Sequence, residues 1–268
     1  MKHRPGFPAR LDKDNASSPP PKSLLGATRV LTPQSPMRQK PVPMASPAGV
    51  GLDSSAVRAR MVQKLAEQGV TDAWVLEAMG RTERHRFVDS ALVNQAYEDT
   101  SLPIGLGQTI SKPNVVARMM ELLRQAPGLQ VDGLMGRVLE IGTGCGYQAA
   151  VLSHLAREVY SMERLRGLHD KARENLRPLR LPNVHVIFGD GMLGYPQGAP
   201  YSAIIAAAGG EDVPKAWLDQ LAVGGRIVAP MQTSIGQQAL VVIDKTTHGF
   251  QQTLLEAVHF VPLKSGIA

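Results

Sequence analysis

The sequence predicts an α/β fold: a doubly wound, mostly parallel sheet with an N-terminal helical segment and a disordered N-terminal tail. Two observations predict the sheet. Apolar runs of strand length recur at 138–141, 158–162, 184–188 and 201–206 with helical patterns between them, and each run leads into glycine, alanine or acidic residues. A third observation predicts the tail, because residues 1–50 hold ten of the twenty prolines and few residues able to build a core.

The tail is also basic. Its eight Lys or Arg against two Asp account for the whole net charge of +6, so the rest of the chain is formally neutral. A dedicated nucleic-acid surface would cluster its cations on a folded face, so the expectation is a solvated tail and no specific nucleic-acid partner. Beyond it, Ser54 or Ser55 caps a helix over 56–68, with Val57, Met61 and Leu65 on one face and Gly69 as its stop. Thr71 then caps a short helix over 72–79, ended by Gly80. A loop of small and polar residues follows through Ser111, and Pro113 opens a helix that carries Val115, Val116, Met119, Met120, Leu122 and Leu123. Helices over 148–156 and 164–176 fill the crossovers between strands. A strand at 226–230 follows Gly224-Gly225, and 240–244 with 254–261 read as a hairpin-like pair.

Composition excludes several classes. No apolar run reaches the roughly 18–20 residues that span a bilayer, and the basic N-terminus lacks the apolar stretch of a secretory signal, so a soluble cytoplasmic protein without a membrane partner is expected. The single cysteine, Cys145, rules out an internal disulfide, and no His and Cys cluster has metal-ligand spacing, so no metal is expected. Inside a glycine turn Cys145 reads as a small filler.

That turn is the densest signal in the chain. In Val138-Leu139-Glu140-Ile141-Gly142-Thr143-Gly144-Cys145-Gly146-Tyr147, a buried strand breaks at Gly142 into alternating glycines that permit positive φ and close approach of a ligand, with backbone N–H groups available to it. Tyr147 stands where a dinucleotide fingerprint would place its third glycine, which counts against a nicotinamide cofactor. Glu163 lies 21 positions after Gly142, at the tip of the second strand, where a carboxylate accepts from ribose hydroxyls or, more plainly, starts a helix beside Arg164. Asp190, in Gly189-Asp190-Gly191 after the third strand, is placed for an adenine amino group and equally for a turn or helix cap.

The acidic residue ahead of the first glycine, Glu140, resembles the first motif of Rossmann-like, class I methyltransferases. The resemblance narrows at Gly107-Gln108-Thr109-Ile110-Ser111-Lys112-Pro113, which is similar to the signature of the protein-L-isoaspartate O-methyltransferases. Further matches are His85-Arg86-Phe87-Val88, Ala96-Tyr97, Leu139 to Ala149, Gly189-Asp190-Gly191, Gly224-Gly225-Arg226 and Phe260-Val261-Pro262-Leu263, in family order over about residues 54–266. The chain departs from the family at Ser202, at Ala206-Ala207-Ala208-Gly209-Gly210 and in an insertion-like 125–136 segment.

The resemblance implies a methyltransferase domain over 51–268, with 51–125 as helical and substrate-cleft segment and 137–268 as cofactor-binding core. It implies S-adenosyl-L-methionine as donor, leaving S-adenosyl-L-homocysteine, held by Glu140, Gly142, Thr143, Gly144, Gly146, Glu163, Asp190 and Gly191, with Glu140 near the cationic methionine end. The acceptor would be the free α-carboxylate of L-isoaspartyl residues in damaged proteins and peptides, with the enzyme acting as a monomer. Such a carboxyl has a pKa of roughly 3.3–3.7, so it arrives ionised and needs no general base. Placement and partial desolvation supply the catalysis, and good orientation is worth on the order of 7–11 kcal/mol. By family match Ser111 is the active-site residue, its hydroxyl holding one carboxylate oxygen; from the residues alone it caps the Pro113 helix just as well. Gln108, Thr109 and Ile110 would line the same cleft, Val261 and Pro262 the bound peptide, and His85 would be a packed or surface histidine. A class I methyltransferase of nucleic acid or a small molecule is the rival, but Ala206-Ala207-Ala208-Gly209 offers no aromatic platform for a base.

Overall fold

The computed structural model describes residues 55–129, 132–233 and 236–268. The tail expected over 1–50, and Ser54 as a cap, lie outside the described residues. Helices α1 (Ser55–Glu67), α2 (Ala73–Arg81) and α3 (Pro113–Arg124) precede the sheet. Helix α1 buries Met61 and Leu65 and stops where Gly69 takes φ +102°. The cap of α2 differs from expectation: Asp72, not Thr71, accepts from the amides of Trp74 and Val75. Thr71 is diverted because its amide and hydroxyl both donate to the buried Glu121 of α3, and α2 runs through Gly80 to Arg81. Between α2 and α3 the expected loop contains a short antiparallel hairpin, β1 (Leu102–Gly105) and β2 (Gln108–Ile110).

The main sheet has seven strands: β3 (Met135–Ile141), β4 (Ala156–Glu163), β5 (Val184–Phe188), β6 (Tyr201–Ala206), β7 (Leu221–Gln232), β8 (Gln238–Thr246) and β9 (Gly249–Val258). Their order is β5-β4-β3-β6-β7-β8-β9, with the first five parallel and the last two antiparallel. The order reverses between β4 and β6 on either side of β3, the place where an open α/β sheet leaves a crevice at its strand ends. Crossover helices are α4 (Tyr147–Leu152), α5 (Arg166–Leu176) and α6 (Lys215–Gln220). The strand expected from Arg226 begins earlier, but its ladder with β6 jumps from Leu221 to Arg226 across the Gly224-Gly225 bulge, where Gly224 takes φ +81°. The final strand lies at Gly249–Val258 instead of 254–261, because the chain beyond it leaves β8 to cross the sheet's end.

Period-two alternation sorts the core into two layers. Val138, Val159, Ala203, Ile205, Val228 and Val242 face α1–α5, while Leu139, Ile141, Met162, Ile204, Ile227 and Val241 face α6 and Trp217. Each fully buried Val, Leu or Ile side chain among them contributes roughly 1.5–3 kcal/mol. A bidentate pair, Arg226 Nε and Nη2 to Asp244 at 2.7 Å each, ties the antiparallel end of the sheet, and Arg226 Nη1 donates to Leu122 O of α3. Among the described residues no helix is long and apolar enough to cross a membrane.

Candidate active site

At the end of β3 the glycines at 142, 144 and 146 take φ +92°, +57° and +91°, conformations that side-chain-bearing residues resist. The turn supplies room more than donors. The amides of Gly142 and Thr143 donate to Met162 O, that of Gly144 to Glu163 Oε2 and that of Gly146 to Thr143 O, so these four are spent inside the protein and not offered to a ligand as the sequence suggests.

A cavity of about 440 Å³ opens above this turn, lined among others by Gly142, Gly144, Glu163, Gly191 and Val261. Its roof is the β1–β2 hairpin, whose tip residues Gly105, Leu106 and Gly107 all have positive φ, and Lys171 Nζ of α5 holds that hairpin through Ile104 O at 2.9 Å. A further wall is the C-terminal segment. Gly209 N donates to Val261 O and Leu263 N to Gly209 O, both at 2.8 Å, and farther on Gly266 N donates to Asp190 Oδ2 at 2.6 Å while Arg164 Nε donates to Gly266 O. Gly209 and Gly210, where the chain departs from the family pattern, make room for this strap: a Cβ on Gly209 would lie 2.6 Å from Gln238 Nε2 and one on Gly210 3.2 Å from Leu263. Ser202, the other departure, donates to Arg137 O at the far end of β6.

A groove of about 590 Å³ adjoins the cavity and shares Thr109, Ala207 and Val261 with it; Ser111, Lys112, Arg118 and His259 line the groove and not the cavity. A small space of about 30 Å³ touches Ser111, Thr143 and Gly144 between the two. Ser111 is thus at the boundary, and its hydroxyl has no partner among the described residues.

Several expected ligand residues stand elsewhere. Glu140 is fully buried and lines neither cavity; period two places it with Val138 on the face toward α4, beneath the turn. Burial lifts its carboxyl to about 8, against the opposing hydrogen bond from Ser161 and with a small push from Glu163, while its Oε1 has no partner among the described residues. Thr143 joins this buried network through Ser161 Oγ at 2.6 Å. Gly146 faces α5, where a Cβ would meet Leu176 at 3.0 Å. Asp190 caps the turn at 191–193 through Met192 N and holds the strap through Gly266 N, and of the two residues only Gly191 lines the cavity. Glu163 does line the cavity; one oxygen accepts from Gly144 N and the other from Leu165 N, each at 2.9 Å, leaving further lone pairs toward the cavity. Gln108, Thr109, Val261 and Pro262 line the cavity, while Ile110 is core and reaches only the small space. His85 bonds Tyr97 Oη at 2.7 Å and lines neither. Cys145 is buried filler, and burial pushes its thiol up.

Sequence reading missed Arg84. It is fully buried, and its Nη2 donates to the carbonyl of Ser111 at 2.7 Å while its Nε donates to Ala96 O at 2.8 Å. The guanidinium lies 4.8 Å over the Tyr147 ring, Nη1 has no partner, and burial lowers its pKa below the ordinary value. No spacing rule separates this arginine from the surface ones beside it.

Comparison with known proteins agrees with this geometry. The family model for protein-L-isoaspartate(D-aspartate) O-methyltransferase matches residues 56–268. A protein-L-isoaspartate O-methyltransferase of Methylibium petroleiphilum is 57% identical over 267 residues, 98% of this chain and 96% of the relative. One from Leptothrix cholodnii is 62% identical over 221 residues, 82% of this chain and 77% of the relative. A solved protein-L-isoaspartate O-methyltransferase, 30% identical, superposes with TM-score 0.69 over 78% of this chain and 67% of its own. A Plasmodium falciparum structure in complex with S-adenosyl-L-homocysteine, 24% identical with TM-score 0.64 over 77% of this chain and 98% of its own, shares the fold. Since the family match takes in the helical segment, the groove and the sheet together, the chain belongs to the protein-L-isoaspartate(D-aspartate) O-methyltransferase family, S-adenosylmethionine-dependent enzymes of isoaspartyl repair.

Proposed function

We propose that the 440 Å³ cavity holds S-adenosylmethionine, that the groove holds an isoaspartyl peptide, and that Ser111 positions the carboxylate to be methylated. The observation that carries this is the boundary position of Ser111, between a glycine-floored cavity and a groove of about 590 Å³. The residues fit the donor: the volume suits a small-molecule site, Gly142 and Gly144 allow close approach, and Glu163 has lone pairs for a ribose diol. When bound, the donor supplies an electrophilic methyl group on a positively charged sulfur.

The chain's own residues do the rest. Ser111 can donate its hydroxyl to one carboxylate oxygen, leaving the other free. A neutral donor orients the carboxylate without the strong ion pair that would blunt its attack, because only interactions stronger in the transition state speed chemistry. Arg84 fixes where that hydroxyl sits by holding the Ser111 carbonyl. The hairpin and the strap cover the cavity and exclude water, which raises the energy of a desolvated carboxylate nucleophile. We assign residues 51–268 to the catalytic domain, take the protein to act as a monomer in the cytoplasm, where the lone Cys145 fits a reducing compartment, and assign no nucleic-acid role, in line with the balanced charge outside 1–50.

The test is incubation with labelled S-adenosylmethionine and matched aspartyl and isoaspartyl peptides. Label is expected on the isoaspartyl peptide alone; equal labelling of both overturns the assignment.

A further inference from the structure

We propose that Lys112 is a specificity-determining residue of the groove and selects isoaspartyl sites whose flanking residue carries a carboxylate. The inference rests on the methyltransferase reading above.

The observation is one of charge left over. Lys112 follows Ser111 directly, lines the same groove and is half-buried, yet among the described residues its ammonium makes neither an ion pair nor a hydrogen bond. The other charges of the groove are satisfied internally. Arg118 donates through Nε to Glu256 Oε1 and through Nη1 to Glu121 Oε2, both at 3.1 Å. Asp99, just outside the lining, accepts from Asn114 N at 2.9 Å. Lys112 is therefore the unsatisfied cation in a groove whose remaining lining is neutral or already paired, apart from the ring of His259.

The ammonium has no counter-ion in the empty groove, so a carboxylate arriving with the peptide finds there a cation that no group of the protein already occupies. That carboxylate is not the one being methylated. Ser111 sits at the boundary with the cavity, whereas Lys112 lines the groove but neither the cavity nor the small space between them. The group that reaches Lys112 is then on a residue next to the isoaspartate, an aspartate or glutamate side chain.

The experiment uses the full chain and two sets of isoaspartyl peptides of equal length. In one set the residue immediately before the isoaspartate is Glu, Gln or Lys; in the other the residue immediately after it varies in the same way. In one of the sets kcat/KM is expected to rank Glu above Gln above Lys, with steps of roughly two- to fivefold that shrink with added salt. Lys112→Gln should level the ranking and Lys112→Glu should reverse it, while S-adenosylhomocysteine binding, measured by calorimetry, reports that each variant is folded. A wild-type ranking indifferent to peptide charge in both sets overturns the inference, as does an unchanged ranking in Lys112→Glu or in Lys112→Gln. An equal loss for Glu, Gln and Lys peptides also overturns it, since that would place the ammonium on the methylated carboxylate itself. Failure of the wild type to label any isoaspartyl peptide is a different result and sinks the underlying reaction along with it.

Discussion

Replacing Glu140 by Gln tests whether the buried network under the glycine turn holds a proton. Burial raises the Glu140 carboxyl from 4.5 to about 8, so between those values the native state keeps a proton that the unfolded chain has released. Stability must then fall as pH rises through this window, because the unfolded state binds fewer protons. At about 1.4 kcal/mol per pKa unit the loss is on the order of 5 kcal/mol as an upper bound, since the buried site relaxes when it ionises. Glutamine fills nearly the same volume, can still hydrogen-bond Ser161, and has nothing to titrate. Urea unfolding of both proteins at pH 5 and pH 8, without cofactor, isolates the term, because every other titrating group cancels in the difference. The wild type is expected to lose several kcal/mol more than the variant between the two conditions. Coincident pH dependences would refute the reasoning and show Glu140 already ionised in the native protein.

Other expectations follow from the site. Ser111→Ala should lower kcat by about tenfold or more and leave S-adenosylhomocysteine affinity near the wild-type value; unchanged turnover with weakened cofactor binding would make Ser111 structural. Arg84→Met leaves the buried carbonyls of Ser111 and Ala96 without donors, so Tm should fall by an amount equivalent to about 1–3 kcal/mol per carbonyl and KM for peptide should rise. Arg84→Lys should recover part of the KM, and a lysine variant no better than methionine would contradict the positioning role. Removing residues 1–50 should leave kcat/KM on short peptides intact, and its collapse in a steady-state assay would put the tail inside the working enzyme.

The inner strands were legible because both faces of β3, β4 and β6 are covered, which favours mostly apolar runs that no surface element needs. The β1–β2 hairpin was not legible. Its strands are short, they contain Pro103 and Gly105, and tertiary bonds such as Lys171 to Ile104 O hold it where no local propensity would. The position of Glu140 follows the pleat of β3: residues 138 and 140 share the face toward the helices, whereas Ile141 on the other face lines the cavity. Family resemblance set Glu140 at the ligand, and the strand's pleat sets its side chain beneath the turn. Asp190 shows the reverse case: both of its sequence readings were open, and the structure displays the cap. Arg84 illustrates what sequence hides, since an arginine's burial depends on contacts to Ala96 and Ser111, 12 and 27 positions away.

Arg84 grips the Ser111 main chain and leaves the side chain alone. Location and chemistry at position 111 are therefore inherited separately. A mutant library restricted to that codon would present each new functional group from the same spot at the boundary of cavity and groove, with no need to rebuild the loop beneath. At a site whose backbone depended on its own side chain, the same change would also displace the stage.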